Sequence, residues 1–475
     1  MNIFLTGATG FIGRALILRL QQEGHHIVAY VRNEQKARSL LGKDCSVLEI
    51  SKDRSGLQQA LENADAVINL AGEPLLGGRW DEKKRASIRS SRIDFTNSIV
   101  DHISEEKGPK VFISTSAVGV YGDGGSTELT EEAASGTDFL AEICRDWESA
   151  ALRARDVGCR VVRMRIGVVL GRQGGALAQM LLPFRFGLGG PIGSGDQFVP
   201  WIHLQDLVDL FVKALSDNTM SGAFNATAPT PVTFTQFAKA LGKQIRRPAI
   251  LPLPSFAVKA LFGEASVVLL NGQRAVPAHA EKMGFKFQFN RIEEALKDLL
   301  ENDFITIGPC REAVPNSDYL ARNSPSYVLK ASTTIDRPIE EVFSFFSSPE
   351  NLGLITPAAL QFRITALPEN MEDGAIIDYT LKLNGIVPLK WRTRIENWKD
   401  GELFVDAQLK GPYDCWWHEH RFKAEGNKTV MTDTVYYAPP VGLLGRVANA
   451  LFIEDQLKEI FGYRSSVLRL RFGNV

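Results

Sequence analysis

The sequence predicts an α/β chain: a doubly wound parallel sheet over residues 1–300, then an α+β unit with a curved antiparallel sheet over 327–475. Three observations carry this. Short, near-continuously apolar strands alternate with helical stretches up to about residue 170, as in a parallel sheet covered on both faces. The first strand runs directly into Gly7, Gly10 and Gly13. Beyond residue 327, strand-like runs are punctuated by Asn384-Gly385, Asp400-Gly401 and Gly426-Asn427, each a good hairpin turn.

In order, the candidate parallel strands are Asn2–Thr6, His26–Val31, Ala66–Leu70, Lys110–Ser114 and Arg160–Arg165. A helix starting at about Phe11 follows the first, with Leu16, Leu18 and Leu20 as the apolar positions of its Arg14–Glu23 stretch. Right-handed crossovers then make the sheet Rossmann-like. From Gly171 the texture changes, and Gly187–Gly195 is a glycine-rich stretch long enough to be a binding loop. Residues 301–326, with Pro309, Pro315, Asn316, Asn323 and Pro325, read as a linker. Tyr327–Ile335 reads as a strand, and a helix follows with Asp336 as its cap and Pro338 in its first turn. A long amphipathic segment, Leu443–Phe472, closes the chain.

Among 475 residues, 54 basic and 55 acidic side chains leave a formal net charge of -1, which points away from nucleic acid and anionic membranes as partners. The 5 cysteines are scattered, with no C-x-x-C pair, and read as reduced thiols. No apolar run approaches the ~20 residues of a membrane span. The first strand starts at Met1 and leaves no room for a secretory leader, so a cytoplasmic location is expected. Nothing in the sequence sets an oligomeric state.

The glycine motif carries chemistry. A side chain at these positions would stop the backbone turning tightly and approaching a pyrophosphate, which the following helix N-terminus then holds. Gly7, Thr9, Gly10, Phe11, Ile12 and Gly13 are the candidate cofactor-binding residues here. Leu70, Ala71 and Gly72, in the turn after a strand ending in Asn69, join them on the other side of the crevice. NAD enzymes place an acid at the end of the second strand, where it binds the ribose 2′-hydroxyl. Here that position holds Arg32, whose guanidinium suits a 2′-phosphate, so NADP(H) is expected rather than NAD(H).

Thr6–Gly13, Asn69–Gly72, Ser114–Gly122, Arg163–Gly171 and Pro200–Asp206 together resemble the motif series of extended short-chain dehydrogenases/reductases. Asn69–Glu73, Gly187–Gly195 and Phe139–Glu148 are similar to an atypical branch, nucleoside-diphosphate-sugar epimerase-like and also called cell-division-inhibitor-like. The resemblance covers residues 1–300, including a tail from Gly263-Glu264 to Gly284-Phe285. The family uses a Tyr-x-x-x-Lys pair to move a proton at neutral pH. Anchored on Glu148, the tyrosine position holds Leu140 and the lysine position Cys144, so the pair is missing. The resemblance leaves Ser116, with Ser114 as an alternative, in the substrate-orienting place. It leaves Tyr121 near the nicotinamide mouth, or packed under its loop. Arg89, Arg92, Gln197, Trp201 and His203 fall on the substrate side, the two arginines three residues apart on an expected helix.

Residues 327–473 resemble the START-like, polyketide-cyclase/dehydrase type of helix-grip domain, through Ile335–Phe343, Phe345-Phe346, Gly411–Tyr413 and Trp416–Phe422. The resemblance implies an antiparallel sheet around the last helix and a cavity for an apolar ligand. His418 and His420 share one strand face with Trp416, but no third ligand is identifiable in the sequence, and no metal is assigned. The expected function is that of an NADP(H)-dependent oxidoreductase or epimerase-like enzyme acting on a small hydroxyl or carbonyl substrate. A non-catalytic NADP(H) sensor whose C-terminal domain binds an apolar ligand is the competing class.

Overall fold

The structure, a computed structural model, describes residues 1–42, 44–50, 55–172, 174–383, 387–440, 442, 445 and 449–473. The chain divides into two compact units, residues 1–37 with 45–301 and residues 38–44 with 302–475.

The first unit is built on seven parallel strands: β1 (Asn2–Thr6), β2 (His26–Val31), β3 (Ser46–Glu49), β4 (Ala66–Asn69), β5 (Val111–Ala117), β6 (Arg160–Ile166) and β7 (Gly222–Ala226). Their order across the sheet is β7-β6-β5-β4-β1-β2-β3, a doubly wound topology that reverses at β1 and β4. β1 pairs in parallel with β2 on one side and β4 on the other, so the crevice at their carboxyl ends is the expected place for a ligand. Five of the strands match the sequence reading to within a few residues. β3 and β7 escaped it, because β3 is a four-residue edge strand and Gly-Ala-Phe-Asn-Ala in β7 has little β propensity. Phe4, Val67, Phe112 and Val161, on four strands, form one buried layer with Leu57, Ile99 and Val100.

Six helices matter for the site: α1 (Phe11–Gln22), α2 (Glu82–Ser90), α3 (Ile93–Val100), α4 (Phe139–Leu152), α5 (Gly175–Arg185) and α6 (Leu204–Ser216). α1 starts inside the glycine motif at Phe11, where the sequence places it, and Gly10 at its N-cap offers no side-chain cap. Its first amides are thus left for an anionic partner. α4 is capped by Asp138, whose carboxylate accepts from Ala141 N at 2.9 Å.

The second unit holds eight antiparallel strands: β8 (Ile305–Pro309), β9 (Tyr327–Ile335), β10 (Arg363–Ala366), β11 (Ile376–Leu383), β12 (Val387–Lys399), β13 (Leu403–Lys410), β14 (Cys415–Glu425) and β15 (Lys428–Ala438). Their order is β8-β9-β15-β14-β13-β12-β11-β10. Register shifts between β12 and β13 mark bulges, which bend a strand locally. The turns at Asp400-Gly401 and Gly426-Asn427 lie between paired strands as expected, with Gly401 and Gly426 at positive φ. Asn384-Gly385 and the start of the segment at Leu443 lie outside the described residues.

Two expectations change here. Residues 301–326, read as a linker, contribute β8, paired with β9, and a short helix, Asp318–Arg322, whose Tyr319 and Leu320 are buried. Proline and asparagine punctuation hid the apolar positions between them. Pro338, not Asp336, stands at the N-cap of α7 (Ile339–Phe346), with no side-chain cap. α8 (Glu454–Phe472) follows a short π-helical stretch and packs Leu457 and Phe461 against Leu329, Val435 and Tyr437 of the sheet. Among the described residues no helix is long and apolar enough to cross a membrane.

Candidate functional site

A cleft of about 510 Å³ opens where the ends of β1, β4 and β5 meet α1 and α4. Gly7, Gly10, Phe11, Ile12, Gly13, Leu70 and Gly72 line its dinucleotide side. Gly7 has φ +67, and a Cβ there would stand 2.8 Å from the Leu70 carbonyl. A Cβ on Gly13 would stand 2.4 Å from the carbonyl oxygen of Gly7. The turn therefore closes only with glycine at these two positions. Thr9 and Ala71 lie in the same turns but do not line the cleft among the described residues.

The turn after β4 is braced from below. Thr6 Oγ1 donates to Asn69 Oδ1 at 2.7 Å and accepts from the amides of Leu70 and Ala71. Asn69 Nδ2 donates to Thr96 Oγ1 at 2.8 Å, and Trp147 Nε1 donates to the same hydroxyl at 3.1 Å. A line of hydrogen bonds thus ties the cofactor side to a tryptophan on the opposite wall.

Arg32 is exposed at the end of β2. Its charge bears on Glu73, whose carboxyl is held below its ordinary value first by a hydrogen bond from Lys84, then by the charges of Lys84, Arg32 and Arg92. Three cations thus gather around Glu73.

The opposite wall is mainly apolar: Leu75, Leu140, Ile143, Trp147, Val267 and Val268. Its cation is Arg92, whose guanidinium lies 5.3 Å from the Trp147 ring centroid and donates to the Glu73 carbonyl at 3.0 Å. Leu140 and Cys144, at the tyrosine and lysine positions of the family, face the cleft from one side of α4. Burial pushes the Cys144 thiol up to about 12, so it stays protonated at neutral pH.

Ser116 lines the cleft at the end of β5, and its Oγ donates to Glu148 Oε1 at 2.8 Å. Glu148 also accepts from Arg165 Nε at 2.8 Å, Arg165 Nη2 at 3.1 Å and Arg163 Nη1 at 2.7 Å. Burial pushes the Glu148 carboxyl up, but the two guanidiniums outweigh it and hold it below its ordinary value. Ser114 is buried and does not line the cleft.

Tyr121 does not line the cleft. Its hydroxyl donates to Asn225 Oδ1 at 2.7 Å and accepts from Arg165 Nη1 at 2.9 Å, and burial raises its pKa. The ring is packed under its loop, the second of the two places the sequence allowed. Tyr121→Phe is expected to leave dinucleotide affinity within about twofold while costing about 1–2 kcal/mol of stability, as read by calorimetry and denaturant titration.

The substrate-side expectations also separate. Arg92 lines the cleft, whereas Arg89 pairs at the surface with Asp146 at 2.6 Å and Glu142 at 3.3 Å. α2 ends at Ser90, so the common helix face that would have aligned the two arginines is broken. Gln197 donates to the carbonyls of Ile192 and Leu269 and stitches the glycine-rich loop to the tail. Trp201 is a core residue whose Nε1 donates to the Thr230 carbonyl. His203 caps α6, accepting from Gln205 N at 3.1 Å, and stacks on Phe289. None of these three lines the cleft among the described residues, and neither does the Gly187–Gly195 loop. Val267, Val268, Asn271 and Gln273 take that place, with Gln273 donating to the Gly122 carbonyl at 2.7 Å. No residue-level signal marked them, only the tail that contains them.

Comparison with known proteins accords with this geometry. Residues 3–226 match the NAD dependent epimerase/dehydratase family, and residues 253–299 match a domain of unknown function (DUF1731). The chain is 42% identical over 306 residues to the chloroplastic epimerase family protein SDR39U1 homolog of Arabidopsis thaliana, covering 63% of this chain and 87% of that one. It is 39% identical over 302 residues to the epimerase family protein YfhF of Bacillus subtilis, covering 63% of this chain and 98% of YfhF. The crystal structure of human SDR39U1 with NADPH is similar at a TM-score of 0.56 and 35% identity, covering 63% of this chain and 99% of that chain. With its glycine turn, braced Asn69 strand and C-terminal tail, the chain belongs to the epimerase family of SDR39U1-type proteins.

Proposed function

We propose that residues 1–300 form an NADP(H)-binding oxidoreductase or epimerase-like enzyme acting on a small, largely apolar hydroxyl or carbonyl compound. Residues 302–475 are then a START-like domain that binds an apolar ligand. One observation carries the first reading: the uncapped N-terminus of α1 and the glycine turn face, across one cleft, an apolar wall with a single half-buried guanidinium. The α1 amides take the pyrophosphate, Arg32 the 2′-phosphate, and Arg92 polarises or pairs with an oxygen of the substrate. The NADPH in the human relative supports this choice of cofactor. Aromatic packing of Tyr379, Trp391, Tyr413 and Trp416 inside the second sheet supports the second reading. So does Trp391 Nε1, a buried donor with no partner among the described residues.

Arg32 gives the direct test of cofactor preference. Wild-type chain is expected to bind NADPH more tightly than NADH, and Arg32→Asp to weaken NADPH by about 1.5–3 kcal/mol while leaving NADH little changed, as read by titration calorimetry. Tighter NADH binding by the wild type overturns the assignment.

A second reading, a non-catalytic NADP(H) sensor, draws on the protonation chemistry of the cleft. Among the described residues its titratable lining side chains are Arg92, Asp138 and Cys144. Asp138 is engaged as the cap of α4, and Cys144 stays a thiol. A proton must then come from the substrate or from water. Single-turnover oxidation of NADPH with small apolar aldehydes and ketones separates the readings. Hydride transfer that Arg92→Met slows favours the enzyme. Binding without transfer, coupled to ligand uptake by the second unit, favours the sensor.

A further inference from the structure

The second sheet buries an ionic cluster that the dinucleotide cleft does not use. Cross-strand pairing sets Asp406 opposite His418 and His420 opposite Asp433, while His418 and His420 share one face of β14. Three adjacent strands thus aim two carboxylates and two imidazoles at one place. His420 Nε2 lies 3.1 Å from Asp406 Oδ2. Asp433 Oδ1 touches both rings, 2.7 Å from His418 Nε2 and 3.0 Å from His420 Nδ1. Arg464 Nη1 of α8 donates to the same oxygen at 2.8 Å. Both histidines and Asp433 are buried, and His420 stacks on Phe404 while His418 packs against Phe461.

We propose that Asp406, His418 and His420 form a binding site for one divalent transition-metal ion of the zinc class, with Asp433 and Arg464 holding the ligands in place. One ligating atom of each of the three lies within 4.8 Å of the other two. Ligands at 2.0–2.2 Å from a tetrahedral ion stand roughly 3–4 Å apart, so small side-chain rotations close the set. Two nitrogens and one carboxylate oxygen are a donor set suited to zinc with a fourth position open.

Charge supports the assignment. With both imidazoles neutral, two carboxylates face one guanidinium, which leaves the buried cluster one positive charge short. A metal ion or a proton on a histidine can supply it, and the two are experimentally distinct. Asp433 bridging both rings is the carboxylate–histidine support that commonly orients metal ligands. The sequence assigned no metal because β14 shows only two donors. The third ligand comes from β13 and the supporting Asp433 from β15, strands that pairing alone brings alongside.

The test uses the full-length chain, stripped with a chelator and dialysed. Zn²⁺ titration is expected to give about one tightly bound ion per chain, and Co²⁺ to give visible absorption and paramagnetically shifted histidine signals. Asp406→Asn and His420→Gln are each expected to weaken Zn²⁺ at least about tenfold, while circular dichroism and NADPH binding stay unchanged. If either variant misfolds, the shifted histidine signals of the wild type decide alone. Failure to take up the ion, uptake without shifted histidine signals, or uptake indifferent to both substitutions overturns the site. The cluster would then carry a proton only.

Discussion

Glu148→Gln is expected to destabilise the first unit by about 2–4 kcal/mol, because it leaves the half-buried Arg163 and Arg165 against a neutral amide. Glu148 is 5% exposed, so little water reaches the charges to compensate. The effect should depend on pH in a definite direction. Glu148 has a folded-state pKa below its ordinary value, so its stabilisation is present above the unfolded value of about 4.3. It is lost as pH falls through the folded value. Denaturant titrations at pH 7 should therefore show the full gap between wild type and variant, and the gap should close progressively below pH ~4. A gap unchanged under acid would mean that Glu148 does not carry its charge in the folded chain.

Gly13→Ala is expected to weaken dinucleotide binding severely. The new methyl meets the carbonyl oxygens of Gly7 and Ala8 at 2.4 and 2.8 Å, and both are backbone atoms of the turn itself. The turn can accommodate it only by opening, at a cost of about 1–3 kcal/mol, and opening moves the amides that face the pyrophosphate. NADPH affinity should fall by about 100-fold, or roughly 3 kcal/mol. Gly56→Ala is the matched control, because its methyl meets only Leu48 Cδ1, at an ordinary 3.6 Å. Equal affinity in the two variants would contradict the steric account.

Most of the first unit was legible in the sequence because its signals are local. Asn2–Thr6 and His26–Val31 are apolar runs bounded by turns, and Gly7 and Gly13 are glycines for reasons a single turn explains. Glu148 fixed where Leu140 and Cys144 would fall, and both line the cleft. The missed parts depend on tertiary context. β7 is held by pairing with β6 rather than by propensity, and Val267, Val268, Asn271 and Gln273 reach the cleft from the tail with no motif of their own. Trp201 and His203 carry residue types that suggest chemistry, yet a core position engages Trp201 Nε1, while a helix cap and Asp298 engage the two His203 ring nitrogens. His418 and His420 show the converse case. Their spacing is visible in one strand, but Asp406 and Asp433 become neighbours only when three strands pair.

The most direct measurement is a calorimetric titration of NADPH into the full-length wild-type chain, with NADH in parallel. The structure predicts saturable binding at one site per chain, tighter for NADPH. A folded chain that binds neither nucleotide would contradict the assignment of the cleft, and with it the proposed oxidoreductase.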